Sequence, residues 1–205
     1  MKRWTLFALA LAGFGCACVL GGAAWPTGRA EGPQFNAAGE LVLPSDYREW
    51  VFVGTGLGMT YGAAARPADR PLVFDNIYVT PEAYRAFVRS GAWPEGTMFI
   101  MEGRGSVTRP LLANVGITQG DPAFLEASVK DSKRFADTKW GYFDFGPART
   151  PRASAARLPR AAECYACHSE NTAVENTFVQ FYPALLEVAR SRGTVKASFD
   201  PNKRF

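Results

Sequence analysis

One run of five residues constrains this chain more than any other. It is Cys164-Tyr165-Ala166-Cys167-His168, and it holds the only histidine among 205 residues. Two thiols three residues apart can form thioether bonds to the two vinyl groups along one edge of a haem, and the adjacent imidazole then falls beneath the iron and can donate a nitrogen to it. The pattern Cys-x-x-Cys-His is the signature of c-type haem attachment. The reading is therefore one covalently bound haem c per chain, with Cys164 and Cys167 as the attachment points and His168 as the iron ligand. The rest of the fold must then provide a wall for a flat macrocycle.

Three other readings of the pentapeptide compete. Structural zinc wants four ligands, whereas beyond residue 30 the chain offers two cysteines and one histidine. A thioredoxin-like redox pair belongs in a βαβ setting, and no such pattern surrounds these residues. A short-range disulfide with a chance histidine stays open, because an exported protein permits disulfides. The other two cysteines, Cys16 and Cys18, lie in the N-terminal leader.

That leader has the form of an export signal. Lys2 and Arg3 precede an uncharged run from Trp4 to Trp25, and small residues at Gly22-Ala23-Ala24 or Gly28-Arg29-Ala30 could end it. A run of about 20 residues could instead remain as a membrane anchor. Cys16 is a poor lipidation site after Gly13-Phe14-Gly15. Residues 1–30 are thus read as a signal peptide or anchor, 31–205 as a single domain, and the location as periplasmic, soluble or tethered. Three of the four net positive charges fall in the first thirty residues. What remains is nearly neutral and carries no basic stripe, which argues against nucleic acid.

Along the domain, Pro44 to Trp50 reads as a short helix and Val51-Phe52-Val53 as the start of a strand. Gly54 to Arg70 reads as a loop and Val73 to Val79 as a strand. Thr80, Pro81 and Gly91 are cap, first-turn and stop signals for a helix with Tyr84, Phe87 and Val88 on one apolar face. Thr97 to Met101, Val107 to Ile117 with a bend at Pro110, Phe124 to Val129 and Trp140 to Phe145 read as strands. Pro147 to Pro159 reads as a connecting loop. The tail from Phe178 to Arg190 is near helical spacing, with Pro183 kinking or starting the helix. Consecutive strands without intervening helices predict an α+β domain, a mainly antiparallel sheet with a few helices at its ends, rather than βαβ units.

A single histidine excludes a second intrachain imidazole on the iron. The sixth position is then open, filled by water or a gas, or taken by a methionine among Met59, Met98 and Met101. In an apolar strand a methionine more often packs the core.

Several blocks of the sequence resemble the cytochrome P-460 family, which includes the cytochromes c-prime-beta. They are Leu41-Val-Leu-Pro-Ser-Asp-Tyr-Arg-Glu-Trp-Val-Phe-Val-Gly54, Ile77-Tyr-Val-Thr-Pro-Glu-Ala-Tyr84 and Trp93-Pro-Glu-Gly-Thr97. Leu125-Glu-Ala-Ser-Val-Lys-Asp-Ser-Lys-Arg-Phe135, Glu163 to His168 and Phe181-Tyr-Pro183 continue the series in family order. The resemblance implies a mainly antiparallel sheet, a homodimer, and a five-coordinate haem whose distal side faces the sheet. Family enzymes that oxidise hydroxylamine carry a distal lysine cross-linked to the haem. Here the corresponding run is Met98-Phe99-Ile100-Met101-Glu102, without lysine. The c-prime-beta members lack the cross-link, have an apolar distal side and bind nitric oxide and carbon monoxide.

Phe99 and Met101 share a strand face by the period of two, so both could line the distal haem side, or simply pack the core. Glu126 could relay protons or be a surface or interface carboxylate. Asp144, between Phe143 and Phe145, could face solvent or the haem. The functional expectation is a haem protein that binds a small diatomic gas or small nitrogen compound. An electron carrier with methionine as sixth ligand and a redox partner protein, or an oxidoreductase acting on hydroxylamine, are the alternatives.

Overall fold

Five strand segments rich in apolar and aromatic residues follow one another along the chain and build one meander. A computed structural model describes residues 32–60 and 71–203. The leader with Cys16 and Cys18, and part of the loop expected before Arg70, lie outside the described residues. Strands β1 (Leu41–Val42), β2 (Val51–Leu57) and β3 (Val73–Val79) precede helix α1 (Pro81–Ser90). Strands β4 (Met98–Thr108), β5 (Ile117–Lys130), β6 (Trp140–Pro147) and β7 (Ser154–Ala155) follow. Helices α2 (Glu163–Asn171) and α3 (Pro183–Arg192) end the described chain. The main sheet runs β2-β3-β4-β5-β6 with every pair antiparallel, and β1 pairs with β7 in a separate two-stranded sheet. The α+β expectation holds.

The pleat sorts the side chains into two cores. On one face Val79, Phe99, Trp140 and Tyr142 pack against Ala83 and Phe87 of α1, Tyr165 of α2, and Leu185 and Ala189 of α3. On the other, Met98, Ile100, Leu125, Ala127, Val129, Phe143 and Phe145 are covered by Leu41, Tyr47, Trp50 and Ala155. The main sheet is therefore roofed by helices on one side and by the N-terminal segment on the other. Buried Glu102 sits under that second roof, accepting from Tyr47 and paired with Arg48 and Arg104.

Helix α1 starts at Pro81 and stops at Gly91, whose φ of 74° supplies the left-handed turn that ends it. Its buried face is Ala83 and Phe87, while Val88 is exposed rather than part of the apolar face. Pro183 begins α3 instead of kinking it, after a 3-10 turn at Val179–Phe181. The short helix expected from Pro44 is a 3-10 turn at Tyr47–Glu49.

The segment Val107 to Ile117 is not a strand. It is the tip of a long hairpin that ends β4 and begins β5, pairing Val107 with Thr118 and Thr108 with Ile117. Arg109 and Leu112 adopt positive φ there, a turn made without glycine at those positions. Leu111 and Leu112 at the tip are exposed. Short β7 occupies the stretch expected to be loop between Pro147 and Pro159.

Candidate haem site

Helix α2 carries the pentapeptide. Cys164, Cys167 and His168 stand at positions i, i+3 and i+4 and so lie on one helical face. Tyr165, at 1% exposure, anchors the helix to the sheet. Its ring meets Tyr142 of β6 edge-on at 4.9 Å. Its hydroxyl accepts from Arg157 Nε at 2.8 Å and donates to the Leu158 carbonyl at 3.1 Å. Leu158 in turn bonds by its N–H to the Tyr142 carbonyl, so the connecting segment joins sheet to helix at one point.

The imidazole is fixed from three sides. Tyr142 and Phe178 lie against it with ring centroids 4.6 and 4.7 Å away. Nδ1 is 2.8 Å from the Asn176 carbonyl oxygen. A carbonyl can only accept, so Nδ1 carries the hydrogen and Nε2 keeps its lone pair. Burial holds the His168 pKa below the ordinary histidine value, with the nearby Lys196 ammonium acting in the same direction and the Asn176 hydrogen bond opposing. A neutral imidazole with a free Nε2 is the form a metal requires.

The thiols fit attachment better than redox exchange. Both are unbridged and half-buried. Burial, then the nearby Glu126 carboxylate, pushes the Cys164 thiol up, opposite to the depressed pKa of a reactive thiolate. Among the described residues no group of three or more His, Cys, Asp or Glu side chains is placed to hold a metal ion.

Directly paired residues of an antiparallel sheet share a face, so the strand register defines the wall under α2. One row crosses it: Gly54, Ile77, Met101, Glu126 and Asp144. The Tyr182 ring lies so close to Gly54 that a side chain there would collide with it. Met101 is half-buried in this row. Phe99 shares the face but is held within the core by Trp93, 4.8 Å edge-on, and by Trp140. Met98 points into the opposite core, which removes it as a candidate sixth ligand. Met59 packs over Gly56, farther along β2.

Glu126 and Asp144 are direct neighbours in the row, on the side facing α2. Burial first, then Asp144 and Asp75, raise the Glu126 pKa above the ordinary carboxylate value. Such a group stabilises the fold below its unfolded pKa, and that contribution is lost as pH rises through the folded pKa. Unfolding free energy should therefore fall as pH climbs beyond the ordinary carboxylate range. Glu126→Gln, which cannot ionise, should show a shallower fall in urea midpoints across a pH series. Equal slopes would contradict this environment for Glu126.

Sequence reasoning names the pentapeptide, Met101 and Glu126 as candidates but not Tyr142, Phe178 or Asn176, which surround His168. Only the aromatic residues of β6 and those after Thr177 hinted at the first two.

A Cys-x-x-Cys-His helix laid on an antiparallel sheet, with one free imidazole nitrogen, has the donor set of a c-type haem protein. The Cytochrome P460 family model matches residues 44–179, and the chain belongs to that family, whose members are haem c proteins. No curated protein matches the chain.

Proposed function

We propose that the chain is an exported mono-haem c-type cytochrome whose iron keeps one coordination position open for small neutral diatomic gases such as nitric oxide. Cys164 and Cys167 hold the haem through thioethers and His168 holds the iron through Nε2. Bound haem supplies an iron able to change oxidation state and to take a ligand. The observation that carries this reading is one helical face bearing both thiols and a pre-oriented imidazole, in a chain with no second histidine.

Each residue around the site has a definable task. The Asn176 carbonyl sets the tautomer, while Tyr142 and Phe178 set the ring plane. Ile77 and Met101 provide an apolar strip on the wall. The row Gly54, Ile77, Met101, Glu126 and Asp144 offers no cationic side chain to stabilise an anionic ligand, which leaves neutral diatomics preferred. The run Met98 to Glu102 offers no lysine for a haem cross-link, so hydroxylamine oxidation is the weaker reading. The same proposal includes periplasmic export and a homodimer.

A second reading, an electron carrier with methionine as sixth ligand and a redox partner protein, rests on Met101, which stands on the α2-facing wall, and on Met59, which packs over Gly56 on that same face. Ferric and ferrous spectra with and without nitric oxide or carbon monoxide separate the two. Five-coordinate ferrous iron that binds both gases is expected. A low-spin ferrous form indifferent to them would overturn gas binding and favour the carrier. Met101→Ala should change gas association and release rates severalfold, and unchanged rates would refute its distal placement.

A further inference from the structure

The family match ends at Val179, yet the chain beyond it returns to the haem helix. After α3, Gly193 turns the backbone at φ 67° and residues 194–203 run back across the end of α2. The Lys196 N–H bonds to the Ala173 carbonyl at 2.8 Å. Its ammonium donates to the Ser169 carbonyl at 3.0 Å and to the Thr172 hydroxyl at 2.9 Å. That hydroxyl is 2.6 Å from the His168 carbonyl and 2.8 Å from the Glu175 carbonyl. Lys203 adds a bond of 2.7 Å to the Asn171 side chain.

Two features make this more than a helix cap. Among the described residues the Lys196 ammonium donates to two neutral oxygens and forms no ion pair, and the Glu175 carboxylate that shares the neighbouring cleft is taken by Lys130 at 2.7 Å. That charge is separated from the His168 main chain by a single hydroxyl group. Cations at a helix C-terminus are stabilising in general, but an unpaired cation this close to an iron ligand also changes what charge the metal can carry. A cleft of about 400 Å³ bounded by Lys130, Lys139, Glu175, Asn176 and Lys196 opens beside it, giving mobile ions access.

We infer that Lys196 is a positioning residue of the haem site, locking the C-terminal end of α2 and raising the reduction potential of iron held by His168. The inference rests on the haem reading of the site. A fixed positive charge disfavours the ferric state, which carries one more positive charge than the ferrous state. Second-shell hydrogen bonding and local charge are among the levers a protein has on haem potential. Removing the charge should lower the potential. Because the cleft admits ions, salt should narrow the difference between wild type and variant.

The test is potentiometric titration of the full haem-loaded chain and of Lys196→Met, Lys196→Gln and Lys196→Arg. Haem content and iron–imidazole ligation are first checked by resonance Raman. The expected result is haem and His168 ligation in all four, a lower midpoint in Met and Gln, recovery in Arg, and a smaller gap at high salt. Gln keeps a hydrogen-bond donor without charge, so it decides the matter if Met does not fold. Haem and ligation intact with equal midpoints in Gln and wild type would overturn the inference and leave the haem reading standing. Wild-type chain without covalent haem would overturn both.

Discussion

Replacing His168 by glycine should remove the nitrogen ligand from essentially all of the iron while leaving the haem bound to the chain. The two thiols and the imidazole come from separate side chains on one face of α2, so attachment and ligation would be separable. No second imidazole in the chain can take over, because His168 is the only histidine. Asn176 and the two flanking rings would then surround a space of imidazole shape. Free imidazole added to the variant should therefore restore much of the wild-type ferrous spectrum and gas binding. A variant with wild-type iron ligation would refute the assignment of His168. Loss of haem together with ligation would instead show that attachment depends on the histidine.

The second large effect concerns the residue between the cysteines. Tyr165→Ala removes a ring buried to 1% exposure, and large aromatic truncations in a core cost about 3–5 kcal/mol. The loss falls where the connection to the sheet is made, since the same ring touches Tyr142 and the same hydroxyl bonds Arg157 and Leu158. The variant should show a lower urea midpoint and a reduced haem-to-protein ratio. Tyr165→Phe keeps the ring and loses only the hydroxyl bonds, at about 1 kcal/mol, and should retain its haem. Equal urea midpoints for Tyr165→Ala and wild type would mean that α2 is held by other contacts.

Local signals carried much of this fold. Pro81 and Gly91 marked α1 because first-turn and stop chemistry is local, while Thr80 stands at the N-cap position without a side-chain cap hydrogen bond. Strands β3 and β6 were visible as apolar runs of ordinary strand length. The pentapeptide announced itself because its chemistry depends on spacing along one helical turn. The β4–β5 hairpin was misread as a strand across Pro110 because its turn places Arg109 and Leu112 at positive φ, a role that sequence assigns to glycine or asparagine.

The wall of the site needed the register. Met101, Glu126 and Asp144 come from three strands, and only the pairing of Met101 with Glu126 and Glu126 with Asp144 puts them in one row. Period two alone allowed Asp144 to face solvent or the haem; the register turns it toward α2 and sends Phe143 and Phe145 to the opposite core. Likewise, Lys196 reads as an ordinary tail lysine until α3 and Gly193 bring it back to the end of α2. Long-range closure of this kind leaves no periodic trace.

Covalent attachment at the two cysteines is the claim on which the rest depends. The direct test is proteolysis of the unfolded, purified chain followed by mass spectrometry of the peptide spanning Cys164 to His168. Attachment predicts that this peptide carries one haem with both thiols consumed. A haem-free peptide with free or disulfide-linked Cys164 and Cys167, from protein made in cells that mature c-type cytochromes, would contradict the account.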